Sequence, residues 1–212
     1  MVFNKNDFEN LIVQLKPTGF VFKSEFGSAR FTKKESNKVL TIGIGFNEYF
    51  PHSAIIKGVS ATINLNEVEN IIENFKNKFY PLKHYGNGTV HKTFVKAEGI
   101  DYSKFDIEIQ NELTFSKVAI ELKKIMIIEV TSFFHEFDTI IKVFNTSEIM
   151  PIDLMANFIE QPLPQRRMVI KKLCNDINYQ EYVDWLIEYY KSENDEDWRE
   201  IEKLDNFLKI IV

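Results

Sequence analysis

Apolar positions recur along this chain with two periods, and the changes of period mark out its elements. Residues 6–16, NDFENLIVQLK, place Phe8, Leu11, Ile12 and Leu15 three and four apart, the spacing of one helix face. Asn6 or Asp7 can cap its start, because a side-chain oxygen there accepts a free backbone N–H. Pro17 ends the helix and Gly19 permits a turn. Period two then takes over. GFVFKSEFG reads as a strand closed by Gly27, ARFTKKE (29–35) as a second, and SNK (36–38) as a polar turn. In VLTIGIGFNEYF, Leu40, Ile42, Ile44 and Phe46 share one face, and Thr41, Gly43 and Gly45 the other. AIIKGVSATI repeats the habit, with Ile55, Lys57, Val59, Ala61 and Ile63 on one face and Ile56, Gly58, Ser60 and Thr62 on the other.

The glycines of TIGIGF do not form a phosphate loop. A dinucleotide fingerprint needs a third glycine and a following helix, and FNEYFP supplies neither. Glycine weakens a strand, so the small faces around Gly43, Gly45 and Gly58 form a patch open either to a packed helix, to solvent or to a ligand.

NLNEVENIIENFKNKFYP is the clearest helix, with Val68, Ile71, Ile72, Phe75 and Phe79 in one stripe and Asn64 or Asn66 as its cap. HYGNGTVHKTFVK follows, and Asn87-Gly88 is a strong hairpin signal. KFDIEIQ alternates Phe105, Ile107 and Ile109 with Asp106, Glu108 and Gln110, which predicts a strand. From Ser116 the period is helical. The pattern predicts one long helix, a break near Asp138 and a shorter helix, then helices near 151–160, 163–176, 178–192 and 195–211.

These elements predict an α+β protein. An antiparallel sheet of four to six strands packs against helices over residues 1–148, and an all-helical C-terminal extension, 149–212, packs on it. The opening helix ending LKPTGFVFK, the aromatic meander after it and the segment SFFHEFDTIIKVF together resemble a bacterial family of small α+β proteins of unknown function. The resemblance covers roughly residues 1–145. Ser132 stands where that family often has proline, and the last third is less well covered. The resemblance implies no catalytic residue. By analogy it implies a protein partner, such as a toxin that the chain would neutralise.

Composition narrows the classes. The chain has 212 residues, 44% apolar and 27% charged, with 19 phenylalanines. That is ordinary for a soluble protein with an aromatic core. Its net charge of −5 falls entirely within residues 151–212, which hold 8 Lys/Arg and 13 Asp/Glu. This balance opposes nucleic-acid binding, which needs a basic surface. A single cysteine, Cys174, reads as a small core hydrophobe and suggests a reducing compartment. Asp7 and Glu9 interrupt any leader-like run, and the longest apolar run, IMIIEV, is too short to span a membrane. A cytoplasmic location is expected.

Three constellations carry chemistry. If Asn87-Gly88 is a two-residue turn, His84 lies opposite His91, close enough for the pair to share a metal, although zinc needs three or four ligands. Asp106 and Glu108 share a strand face that Glu112 can extend, yet carboxylates there are ordinarily solvated. Trp185 and Tyr189, with Tyr182, form an aromatic row, and the run SENDEDWREIE supplies Asp195, Glu196 and Asp197. Acids in a first helical turn have a dipole explanation; they also suit docking of a basic partner. No catalytic residue, cofactor or metal is assigned. The leading expectation is a non-enzymatic protein-binding module. The alternative is a small-ligand protein or enzyme using the sheet face at Gly43, Gly45 and Gly58.

Overall fold

The computed structural model describes residues 3–86, 88–94 and 105–212. The chain forms two compact units, each assembled from two segments: Met1–Ile63 with Lys92–Glu136, and Asn64–His91 with Phe137–Val212. The 148/149 boundary drawn from the sequence therefore falls inside the second unit.

The first unit opens with α1 (Lys5–Val13). Its cap is Asn4, one turn earlier than the sequence pattern suggests. Asn4 Oδ1 accepts the Asp7 N–H at 3.1 Å and Asp7 Oδ2 accepts the Asn4 N–H at 3.0 Å, a reciprocal capping box. Four strands follow: β1 (Val21–Glu25), β2 (Ser28–Lys34), β3 (Lys38–Tyr49) and β4 (Ser53–Leu65). With β5 (Val90–Phe94) they make a five-stranded antiparallel sheet in sequence order. Gly27 turns β1 into β2 with φ +68°, a conformation that costs residues with a Cβ. Its carbonyl accepts the Phe46 N–H at 3.0 Å. The register Phe31↔Ile42 and Ala29↔Ile44 puts the apolar members of β2 and β3 on one face, where Phe8 of α1 meets Phe46 with ring centroids 4.8 Å apart.

On β4 the buried positions are Ser53, Ala54 and Ile56, then Val59, Ala61, Ile63 and Leu65. The step of three between Ile56 and Val59 is what a one-residue bulge produces. The sequence reading assumed unbroken alternation and so placed Ile55 and Ile56 on the wrong faces. The strand expected at KFDIEIQ is also corrected. Residues 105–110 make a tight turn and one isolated bridge, Ala54↔Ile109. The turn at Asn87-Gly88 lies partly outside the described residues, because Asn87 is not among them.

The long helix of the first unit comprises α3 (Glu112–Lys124), a π-helical segment (Ile125–Val130) and α4 (Thr131–Glu136). It breaks at Asp138, as the pattern indicates. The π turn has a reason in the sequence. A continuous α-helix would rotate Glu129 onto the inward face of Leu122 and Ile125, seven and four residues earlier. One extra residue in the turn brings Val130 there instead, and Val130 is buried.

The second unit holds α2 (Asn66–Phe79), α5 (Ile140–Ile149), α6 (Ile152–Met155), α7 (Leu163–Leu173), α8 (Tyr179–Ser192) and α9 (Trp198–Ile211). α2 buries Val68, Ile72 and Phe75 as its stripe requires, but its N-cap is Leu65 rather than Asn64 or Asn66, and leucine offers no capping side chain. The Leu65 N–H instead donates to Thr89 Oγ1 at 2.9 Å. Phe75 and Phe207 of α9 pack with centroids 5.7 Å apart.

α7 is buried on nearly every side, and Arg166, Arg167 and Lys171 each meet a carboxylate. Arg166, fully buried, places Nε 2.9 Å and Nη2 2.7 Å from the two oxygens of Glu69. Its remaining N–H groups reach the carbonyls of Gly86, Glu160 and Gln161. Lys171 sits between Glu148 (2.8 Å) and Asp176 (2.5 Å). Glu200, on α9, accepts bonds from Lys83 (2.5 Å), Tyr85 (2.5 Å) and Gln165 (2.8 Å). Burial charges are tolerated only when answered in this way. No helix among the described residues is long and apolar enough to cross a membrane.

Candidate functional site

α8 turns Tyr179, Val183 and Leu186 inward, and that choice fixes what it turns outward. At three- and four-residue spacing, Tyr182, Trp185 and Tyr189 form a ladder. Centroids are 6.0 and 5.7 Å apart, with planes inclined by only 23° and 19°. Tyr182 is anchored at one end. The Arg167 guanidinium lies 4.7 Å and the Lys171 ammonium 5.4 Å from its ring centre, and burial pushes its hydroxyl pKa up to about 12. Trp185 and Tyr189 are 47% and 49% exposed. The same outward face carries Glu181, Asp184 and Glu188, all exposed.

The helix ends where Asn194 adopts φ +56° and the Asp195 N–H returns to the Tyr190 carbonyl at 2.9 Å. Asparagine tolerates this left-handed position better than most residues with a Cβ. The exposed turn 193–197 follows. Asp195 Oδ1 accepts the Asp197 N–H at 2.9 Å, an Asx turn leading into α9. Glu196 pairs with Arg199 at 2.9 Å, and Asp197 lies 3.6 Å from Lys83. The aromatic and acidic features meet at Tyr190. Burial first, then the charges of Asp197 and Asp195, raise its hydroxyl pKa.

The sequence run SENDEDWREIE thus divides. Asp195, Glu196 and Asp197 stay at the surface, while Glu200 turns inward to Lys83 and Tyr85. Burial and the Glu200 contact both push the Tyr85 hydroxyl pKa upward.

No family model, curated protein or solved structure matches this chain. Its surfaces carry the functional argument.

The histidines are placed apart from the hairpin ladder that would have joined them. His84 is exposed in a stretch without strand pairing, so nothing sets it opposite His91. His91 Nδ1 lies 3.4 Å from Glu160 Oε2. Among the described residues no group of three or more His, Cys, Asp or Glu is arranged to hold a metal ion. Asp106 and Glu108 are exposed. On the sheet, a Cβ on Gly43 would come within 2.6 Å of Ser60 Oγ, so the missing side chain admits a cross-strand neighbour. Cβ atoms on Gly45 and Gly58 would meet open space. Cys174 caps α7 half-buried, and burial, with Glu67 and Asp176, raises its pKa to about 11.

Arg166, Glu200 and the half-buried Glu69 had no local sequence signal, because their partners are remote in the chain; Lys171 joins Glu148, 23 residues before it, to Asp176, five residues after it. A helix such as α7, with charges flanking a short apolar run and no clean stripe, is the one hint available.

Proposed function

We propose that this chain is a protein-binding module whose contact surface is the outward face of α8 and the acidic turn after it. The observation that carries the reading is the stacked, half-exposed pair Trp185 and Tyr189. A soluble protein gains nothing in stability by presenting rigid aromatic area to water, whereas Trp and Tyr supply the dominant contacts of many interfaces. Glu181, Asp184 and Glu188 beside them, with Asp195–Asp197 beyond, select a partner with a basic face. An inhibitory partner of a basic toxin is one protein that meets this description.

The experiment is to identify the partner by affinity capture from the native host and then titrate it, purified, against the wild type and two variants. Trp185→Ala with Tyr189→Ala should weaken binding by about a hundredfold or more, the loss expected of two anchor residues. Asp195→Asn with Asp197→Asn should slow association and flatten its salt dependence, leaving dissociation nearly unchanged. Wild-type affinity in the aromatic double variant would refute the proposal.

A further inference from the structure

The first unit contains a second feature, unrelated to α8. The segment between α1 and β1, Ile42 of β3 and the π-helical segment border a half-open cavity of about 440 Å³. Its wall is apolar: Leu15, Phe20, Ile42, Met126, Val130 and Phe134 contribute. Phe20 and Phe134 lie nearly parallel, at 16° with centroids 6.5 Å apart. The volume falls within the range that encloses small ligands. The π turn shapes one side, and such turns recur at binding sites. Thr131 Oγ1 donates to the Met126 carbonyl at 3.1 Å, which holds the widened turn. Ile127, at the lip, is 70% exposed.

Charge distinguishes this cavity from an ordinary packing defect. Lys16 and Lys123 stand at its edge, and no carboxylate lines it. Elsewhere in this protein some lysines find an acid, as Lys23 does with Glu25, Lys33 with Glu35 and Lys76 with Glu73. Among the described residues, neither Lys16 nor Lys123 has an acidic partner within 4.0 Å. An apolar chamber with two unanswered ammonium groups at its mouth is complementary to a molecule with an apolar body and an anionic head.

We infer that this cavity is a binding site for a small amphipathic carboxylate, its chain or ring against Phe20, Phe134 and Val130 and its head between Lys16 and Lys123. The reading is independent of the α8 surface. The two stretches singled out by the sequence, LKPTGFVFK and SFFHEF, supply Leu15, Lys16, Pro17 and Phe20 from one side and Phe134 from the other. Their association in one site gives both a shared purpose.

The test titrates the full chain with monomeric dodecanoate, below its micelle concentration, and follows backbone amide resonances. Dodecanol and anionic phospholipid vesicles are run in parallel. Saturable shifts are expected at Leu15, Phe20, Val130 and Phe134. Lys16→Gln with Lys123→Gln, both at exposed positions, should weaken dodecanoate by roughly three- to tenfold, as two exposed charges would, and leave dodecanol unaffected. Absence of saturable shifts at those four amides in the wild type overturns the inference without recourse to any variant. So does equal dodecanoate affinity in the double variant, or a response to vesicles alone.

Discussion

Distance alone does not rank the ion pairs of this protein. Lys23 and Glu25 approach to 2.7 Å, as closely as Arg166 and Glu69, but their side chains are 73% and 38% exposed against 0% and 13%. The exposed pair is screened by water and contributes little. The buried one cannot be half removed without leaving a guanidinium unanswered. Glu69→Gln should therefore cost about 3–5 kcal/mol in urea denaturation, and Glu25→Gln should leave the midpoint nearly unchanged. Equal midpoints for the two variants would contradict the ranking. The Lys171 pair has a pH signature. Burial by itself would raise the Asp176 carboxyl, but the Lys171 ammonium, the Asn178 N–H and Arg167 outweigh it and hold its pKa below the ordinary value. A depressed acid stabilises the fold above its unfolded pKa, and that stability is lost as pH falls through the folded value. Stability should decline below about pH 4, less steeply in Asp176→Asn. Cys174 shifts the other way, to about 11. Its alkylation by iodoacetamide should be slow at pH 8 and accelerate toward pH 11, because the thiolate is the nucleophile; a rate already level at pH 8 would be inconsistent with that environment.

At the scale of elements, the sequence was most informative where one local rule decides the outcome. The α2 stripe, the meander from β1 to β4 and the break at Asp138 follow from periodicity and turn residues alone. It misled where one residue too many interrupts the period. Strict alternation assigned Ile55 and Ile56 to the wrong faces of β4, and no local pattern marks the step of three between Ile56 and Val59. The run IMII carries apolar residues all round, so it gives no phase by which a π turn could be seen. KFDIEIQ alternates well, yet among its described residues only Ile109 pairs, through one bridge to Ala54; alternation specifies faces and does not supply a neighbouring strand. Of the α8 surface, the sequence revealed the residue types and spacing, but the outward orientation of Trp185 and Tyr189 depended on which face packs. The π segment yields a paired prediction. Deleting the exposed Ile128 restores an α-helical count and puts Val130 four residues after Ile125, facing inward with it and Leu122. The variant should fold with a nearly native melting temperature. Deleting Ala119 leaves the π turn in place and rotates Leu122 and Ile125 by about 100°. That variant should lose its cooperative melt, and a native melt from it would mean the helix does not depend on this register.

The whole chain joins elements far apart in sequence. It passes between the two units at residues 63/64, 91/92 and 136/137, so no single cut separates them. A boundary at 148/149 follows composition, since the charge of −5 lies beyond it, but it divides the second unit. The Arg166–Glu69 pair spans 97 residues and the Lys83–Glu200 pair 117. A fragment of residues 1–148 would keep α2 and lose what covers it. Glu69 would have no guanidinium, Phe75 would lack Phe207, and α2 would lose α7, against which it packs. Loop-closure entropy is not the obstacle, because it grows slowly with separation; the loss is apolar burial, at about 25 cal/mol for each Å² returned to water. The fragment should therefore show helical far-ultraviolet dichroism with weak near-ultraviolet signal, bind a hydrophobic dye and melt without a sharp transition. Limited proteolysis should cut it within α2, residues 66–79, whose apolar face is buried in the full chain. A fragment that melts cooperatively and resists cleavage there would show that α2 finds its burial within the first 148 residues, and that the helices beyond them are an appendage.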